Sequence, residues 1–328
     1  MAVTKKKALE YYRDMLTIRR LEEKAGQMYQ QGKIVGFLHL YIGQEAVVVG
    51  SLKKIRKTDY VITSYRDHAH AYMVGDTPKE IMAELFGKVT GSVRGKGGSM
   101  HFFKAPNFLG GHGIVGGQIP IGTGAAWSIK YQKRDDVSFC FFGDGALSQG
   151  AFFESANMAA LHKLPVIYVL ENNEYGMGTN VNRVVANFCE VQKRAEAFGI
   201  KSYEVDGMDV FEVEKMFDKV IDETRKNPAP KFIVVNTYRY RGHSISDPAT
   251  YRTKEEVAEQ KERDPLKLTK NLIVDKKWAT EDELKALDKE VKAEIQDAVN
   301  FAEESPWPEV KELYDHVYKD PLAVKNYD

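Results

Sequence analysis

The sequence predicts an α/β fold: a mostly parallel sheet flanked by helices, with a helical arm before it and a helical region after it. Three observations carry that expectation. Two continuous apolar runs, at 137–142 and 165–170, suit strands covered on both faces. A helical pattern separates them, so the unit reads strand, turn, helix, strand, and a right-handed crossover makes the strands parallel neighbours. The alternation then continues, with strand candidates at 202–205 and 232–237 and a helix at 209–225 between them.

Taken in order, residues 8–31 form an amphipathic helix. Leu9, Tyr12, Leu16, Leu21, Ala25 and Met28 recur near helical spacing, and Gly32 follows as a C-cap. In the stretch 35–50, Gly43-Gln44-Glu45 enters a helix and His39 precedes it. A lone histidine among apolar residues is most often a satisfied core group; a ligand role stays open beside that. A short β-like run ends at Thr63 and delivers Tyr65, Arg66, Asp67, His68 and His70. Arg66 at a strand end can hold a phosphate oxygen with its planar fork, or pair with Asp67 at the surface. His68 and His70 lack a metal partner at suitable spacing, so no zinc site is expected. Thr77-Pro78-Lys79-Glu80 reads as a capping box with proline at the first helical position.

Residues 91–124 hold eleven of the 26 glycines. That density excludes a helix or strand interior and points to ordered loop or close backbone approach to a ligand. Inside it, residues 111–116 match G-x-G-x-x-G, the dinucleotide fingerprint. A true fingerprint follows a strand and opens a helix. Here a proline-bearing loop precedes the match and Pro120 follows, so a nicotinamide site is rejected and the next helix is expected at 122–131.

The first apolar run ends at Gly143-Asp144-Gly145 and the second at Glu171-Asn172-Asn173-Glu174-Tyr175-Gly176. Parallel pairing would bring Asp144 beside Asn173 at the carboxyl edge of the sheet, where open α/β folds bind ligands. One carboxylate, one amide oxygen and a glycine-freed backbone make a hard-oxygen site suited to Mg²⁺, and through it to a diphosphate. The plain reading is that Gly-Asp-Gly is an ordinary turn and Asn-Asn an ordinary strand terminator.

Beyond this unit, 190–198 reads as helix. The strand at 232–237 runs into a polar loop carrying Arg239, Arg241, His243, Ser244 and Arg252, able to bind anions and to move as a lid. Residues 253–304 are charged and helical, with a capping box at Thr280 and Glu283, and a tail with one short helix follows from Ser305. Lys+Arg and Asp+Glu are both 47, so net charge recommends neither nucleic acid nor an anionic membrane as partner. No apolar run reaches membrane-spanning length. Cys140 and Cys189 are expected as reduced core residues, which with no presequence pattern at the N-terminus points to the cytoplasm.

The GDG stretch followed by NN is similar to the thiamine-diphosphate motif. The blocks HLYIGQEA, TSYRDHAHAY, GKGGSMHFF, GGHGIVGGQIPIGTG, VDGMD and TYRYRGHSISDPATYRT resemble, in order, the alpha subunits of the 2-oxo acid dehydrogenase family in its pyruvate dehydrogenase (acetyl-transferring) form. That resemblance implies a thiamine-diphosphate-binding fold with Mg²⁺ held by Asp144, Asn173 and the Tyr175 carbonyl. It implies that Tyr65 and Arg66 hold the diphosphate, with backbone contacts from Gly145 and Ala146. Gly113 and Val115 would meet the aminopyrimidine, and His39 and His243 would stand as catalytic and cofactor-binding groups at the entrance. Ser244 falls where relatives are phosphorylated, and His112 departs from the family pattern. Implied partners are a beta subunit in an α2β2 heterotetramer, which supplies the activating glutamate, and the lipoyl domain of a dihydrolipoyl acetyltransferase core; pyruvate is the implied substrate. The expected organisation is an arm at 1–35, a thiamine-diphosphate domain at 36–252 and a helical region at 253–328. A branched-chain 2-oxo acid or acetoin enzyme, and a catalytically silent subunit, are the alternatives; the intact Asp144, Asn173, His39 and His243 weigh against the last.

Overall fold

The structure is a computed structural model, and it describes residues 3–315. Among them a five-stranded parallel sheet runs in the order β1-β2-β3-β7-β6. The strands are β1 (Tyr60–Ile62), β2 (Ser138–Gly143), β3 (Val166–Asn172), β6 (Lys201–Asp206) and β7 (Lys231–Asn236); β4 (Tyr175–Gly176) and β5 (Thr179–Asn180) form a separate small antiparallel hairpin. Residues 139–142 of β2 and 166–170 of β3 run apolar without a break because both faces are covered. Phe139, Phe141, Ile167 and Val169 enter one core, while Cys140, Phe142, Tyr168 and Leu170 enter the other, the period-two alternation of a strand. The edge strand β6 instead alternates exposed and buried residues. Strand order reverses between β3 and β7, and such a switch point opens a crevice at the carboxyl edge.

Helices α1 (Lys5–Gln30), α2 (Glu45–Leu52), α3 (His68–Met73), α4 (Pro78–Leu85) and α8 (Val210–Lys226) cover the first face. Helices α5 (Gln118–Tyr131) and α6 (Gly150–Leu161) cover the second, followed by the single turn α7 (Lys193–Glu196). Helices α9 (Lys254–Lys261), α10 (Pro265–Asp275) and α11 (Glu281–Glu304) close the chain, with α11 packed on α1 and α4. Both expected capping boxes form: Glu80 N–H donates to Thr77 Oγ1 and Glu283 N–H to Thr280 Oγ1, each at 3.2 Å. The tail from Ser305 carries one short 3₁₀ turn at Val310–Tyr314, and residues 316–328 of the expected region lie outside the described ones. Among the described residues no helix is long and apolar enough to cross a membrane.

Three sequence expectations are corrected. Helix α5 starts at Gln118, not at 122, because Pro120 falls in the first turn, where its missing N–H would have had no helical partner anyway. The glycine match at 111–116 therefore does approach a helix; what it lacks is the strand before it, since that loop touches the sheet through one isolated bridge at Phe108. The 190–198 helix is broken into a 3₁₀ turn and α7, with only Val191 and Ala195 buried along it, too narrow an apolar stripe to support a longer helix. Cys140 is buried in β2, but Cys189 is exposed on that same 3₁₀ turn rather than in the core.

Helix α5 rides directly on the sheet at Gly122, where a Cβ would lie 2.9 Å from Ile62 Cγ2 and 3.0 Å from Cys140 Cβ. Gly124, on the same helix, has nothing within 4 Å. Gly122→Val should therefore destabilise the chain by about 1–3 kcal/mol through overpacking. Gly124→Ala should stabilise it by ~0.5–1 kcal/mol through helix propensity. Thermal denaturation of the two variants checks the opposite signs.

Candidate active site

The register of β2 against β3 pairs Gly143 with Glu171. The first residues beyond the two strands, Asp144 and Asn173, meet as expected: Asn173 N–H donates to Asp144 Oδ2 at 3.1 Å. Asp144 is buried, and burial lifts its carboxyl to about 6, with the Arg239 charge acting against the rise. The Asn173 side chain donates to Gln44 Oε1 at 3.2 Å and accepts from Tyr175 N–H at 3.3 Å, which turns the chain into the β4–β5 hairpin. Gly176 then passes Gly145 so closely that a Cβ on it would stand 3.4 Å from Gly145 Cα. Around this crossing lies a cavity of ≈ 360 Å³, lined by Tyr65, Arg66, Val115, Asp144, Gly145, Ala146, Glu171, Asn173, Tyr175, Arg239 and His243 among others.

Two arginines charge the cavity. Arg66 donates to the carbonyls of Leu40 and His243, both at 2.7 Å. Burial, with the Arg239 charge, lowers its pKa to about 10. It does not pair with Asp67, contrary to one of the two sequence readings. The Asp67 side chain turns inward instead, where Oδ2 accepts from Phe102 N–H at 3.0 Å and burial pushes the carboxyl up to about 7. Arg239, 1% exposed, donates to the carbonyls of Tyr175 at 3.2 Å and Met177 at 2.9 Å. Of the three loop arginines it alone lines the cavity. Arg252 donates to the carbonyls of Arg239 and Arg241, and Arg241 is exposed. The loop expected to move as a lid is stitched down by Tyr240 N–H to Ile42 O at 3.1 Å, Ile245 N–H to Leu38 O at 2.9 Å and the Arg66–His243 contact.

His39, Tyr65 and His243 gather at the outer end of the cavity. Their ring centroids lie 4.7 Å (His39–Tyr65), 5.2 Å (His39–His243) and 5.6 Å (Tyr65–His243) apart. They wall a second cavity of ≈ 540 Å³ that also meets Gly113, Val115 and Ser244. Burial and then the Arg66 charge lower His39 to about 2 and His243 to about 4, so both rings are neutral near pH 7. Gly113 lines this outer cavity, while Val115 lines both. Gly113 N–H donates to His101 Nε2 at 3.2 Å.

Sequence reasoning passed over Glu171 and Gln44. Glu171 was read only as part of a strand terminator, yet its carboxyl faces the cavity, accepts from the Tyr41 hydroxyl, and is pushed up to about 7 by burial. The available signal was an acid at the carboxyl end of a strand otherwise wholly apolar. Behind it stands His70, fully buried between Tyr41 and Phe141, with both ring nitrogens unpaired and Nε2 3.6 Å from Glu171, too far for a hydrogen bond.

The fold and site are those of an α/β protein with a cavity at the carboxyl edge of a parallel sheet, lined by Asp144, Asn173 and two buried arginines. Residues 13–311 match the family described as dehydrogenase E1 component. The chain is 51% identical over 317 residues to the pyruvate dehydrogenase E1 component subunit alpha of Rickettsia felis, covering 96% of this chain and 97% of that one. It is 52% identical to the Rhizobium meliloti subunit of the same description, covering 95% of this chain and 90% of that one. It is 44% identical to the chloroplastic alpha-3 subunit of Arabidopsis thaliana, covering 98% of this chain and 76% of that one. The chain belongs to the dehydrogenase E1 component family.

The buried His70 makes a pH prediction. Burial lowers its pKa from 6.5 to about 3, so below pH 6.5 the unfolded chain binds a proton that the folded chain refuses. Stability is therefore lost as pH falls, by about 1.4 kcal/mol at pH 5.5 from this residue. His70→Phe should remove that slope, read as a smaller fall in thermal midpoint between pH 7 and 5.5 than in the unchanged protein.

Proposed function

We propose that this chain is the alpha subunit of a pyruvate dehydrogenase component that uses thiamine diphosphate and Mg²⁺, decarboxylates pyruvate and passes the acetyl group to a lipoyl carrier. The observation that carries the reading is the Asp144–Asn173 pair at the carboxyl edge, set between Arg66 and Arg239. The similarity to pyruvate dehydrogenase E1 alpha subunits supports the substrate.

The residues fit the cofactor. The donors at this site are a carboxylate, an amide oxygen and a carbonyl, hard oxygens that suit Mg²⁺ rather than a softer ion. Asn173 Oδ1 and the Tyr175 carbonyl each accept one hydrogen bond and keep a second lone pair. Arg66 uses two of its donor nitrogens on carbonyls and keeps further N–H groups for phosphate oxygens. Gln44 Nε2, His39 Nδ1 and His243 Nδ1 are buried without partners beside these cavities.

In this reading Asp144, Asn173 and the Tyr175 carbonyl hold Mg²⁺. Tyr65 and Arg66, with the backbone at Gly145 and Ala146, bind the diphosphate, and the backbone at Gly113 and Val115 meets the aminopyrimidine. Thiamine diphosphate supplies the nucleophilic carbon and the electron sink for decarboxylation. His39 and His243, neutral in the folded chain, can each hold or release a proton at the unpaired Nδ1 beside the reacting atoms. A beta subunit completes the site with the activating glutamate, in an α2β2 heterotetramer that serves a lipoyl domain. Two free cysteines suit a reducing cytoplasm.

In the assembled complex Asp144→Ala should weaken Mg²⁺-dependent thiamine diphosphate binding at least ~100-fold by calorimetry; unchanged affinity removes Asp144 from the metal site. Turnover should favour pyruvate over 3-methyl-2-oxobutanoate and acetoin. The chain purified alone should bind cofactor weakly and turn over none of the three; decarboxylation by the isolated chain would defeat the shared-site reading.

A further inference from the structure

Elements distant in sequence converge behind His39. Glu22 comes from α1, His68 from α3 and Ser99 from the glycine-rich loop, and segment 38–42 passes between them. Glu22 is 0% and His68 1% exposed. His68 Nδ1 lies 3.0 Å from Glu22 Oε2, and Nε2 lies 3.1 Å from the Ser99 carbonyl and 2.9 Å from Ser99 Oγ. A carboxylate accepts, so Nδ1 carries hydrogen toward Glu22, while Nε2 can donate to the Ser99 carbonyl or accept from its hydroxyl. Burial works to lower the His68 pKa and the Glu22 charge outweighs it, so the pKa is raised.

The outer atoms of this pair grip the neighbouring backbone. Glu22 Oε1 accepts from Tyr41 N–H at 3.0 Å, and Ser99 Oγ accepts from His39 N–H at 3.1 Å. Neither Glu22, His68 nor Ser99 lines the two cavities. A buried carboxylate–imidazole contact is a poor stabiliser compared with apolar packing, and its outer atoms are spent on the backbone of segment 38–42. The segment it grips is irregular, with no helix or strand to fix it. Its side chain at 39 must nevertheless stand against Tyr65 and His243.

We propose that Glu22, His68 and Ser99 are positioning residues: a buried relay that fixes the backbone amide of His39 and so aims its ring into the reaction cavity. The proposal rests on the reading of His39 as a catalytic group. A purely structural staple between α1 and α3 is the competing account, and it makes the loss of Ser99 independent of His39.

The test uses the complex of this chain with its beta subunit. Ser99→Ala should lower kcat for pyruvate about 10-fold with KM within ~3-fold, and speed hydrogen exchange at the His39 amide by at least ~10-fold. Ser99→Thr, which keeps the hydroxyl, should restore most of both. In a His39→Ala background, adding Ser99→Ala should cost less than ~2-fold in kcat. An unchanged kcat for Ser99→Ala, or the full 10-fold loss in the His39→Ala background, overturns the relay. Glu22→Gln guards against a folding failure at Ser99: it should speed exchange at the His39 and Tyr41 amides, and unchanged exchange again overturns the proposal. A wild-type complex that turned over no 2-oxo acid would defeat the functional reading instead, while the exchange measurements would still decide the relay.

Discussion

The parallel pairing of β2 with β3 is the constraint on which the site depends. Gly143 stands opposite Glu171, so the first residues beyond the strands, Asp144 and Asn173, fall side by side. A slip of one position would turn every side chain of a strand to the other face. Here that would exchange Phe139 and Phe141 with Cys140 and Phe142, and move the two cores with them. Packing on both faces therefore holds the Asp144–Asn173 geometry more firmly than the single 3.1 Å contact does.

Electrostatics give the cavity its character. Arg66 and Arg239 are both almost wholly buried, and neither is neutralised by a carboxylate. Their donors go to carbonyl oxygens of the loops at 38–42, 175–177 and 241–243, and one Arg239 donor goes to the Tyr251 hydroxyl. They thus serve twice, tying loops together and bringing positive charge to a cavity that also holds Asp144 and Glu171. The same positive field, added to burial, holds His39 and His243 neutral and works against the rise at Asp144.

Much of this was legible in the chain. Continuous apolar strands, the GDG and NN termini, the capping boxes at Thr77 and Thr280 and the glycine-rich loop all act within a few residues, and each formed where local chemistry put it. Local chemistry misled where tertiary packing decided. Pro120 read as a helix break because its place in the first turn of α5 depends on where that helix meets the sheet. Arg66 had an acidic neighbour in Asp67, but the Asp67 side chain turned toward the Phe102 amide. The loop at 238–252 shows its polarity in sequence, while its anchors at Ile42 and Leu38 appear only in the structure.

By itself the sequence determined the alternation of elements, the parallel sheet and the two strand ends that carry Asp144 and Asn173, because periodicity and turn chemistry are properties of neighbouring residues. Only the tertiary structure decided that Arg239 rather than Arg241 or Arg252 faces the cavity and that Glu171 is buried beneath it. It also decided that Glu22, His68 and Ser99 meet behind His39. Those residues lie tens of positions apart, and their partnership arises from how α1, α3 and the glycine-rich loop pack, which no local pattern encodes.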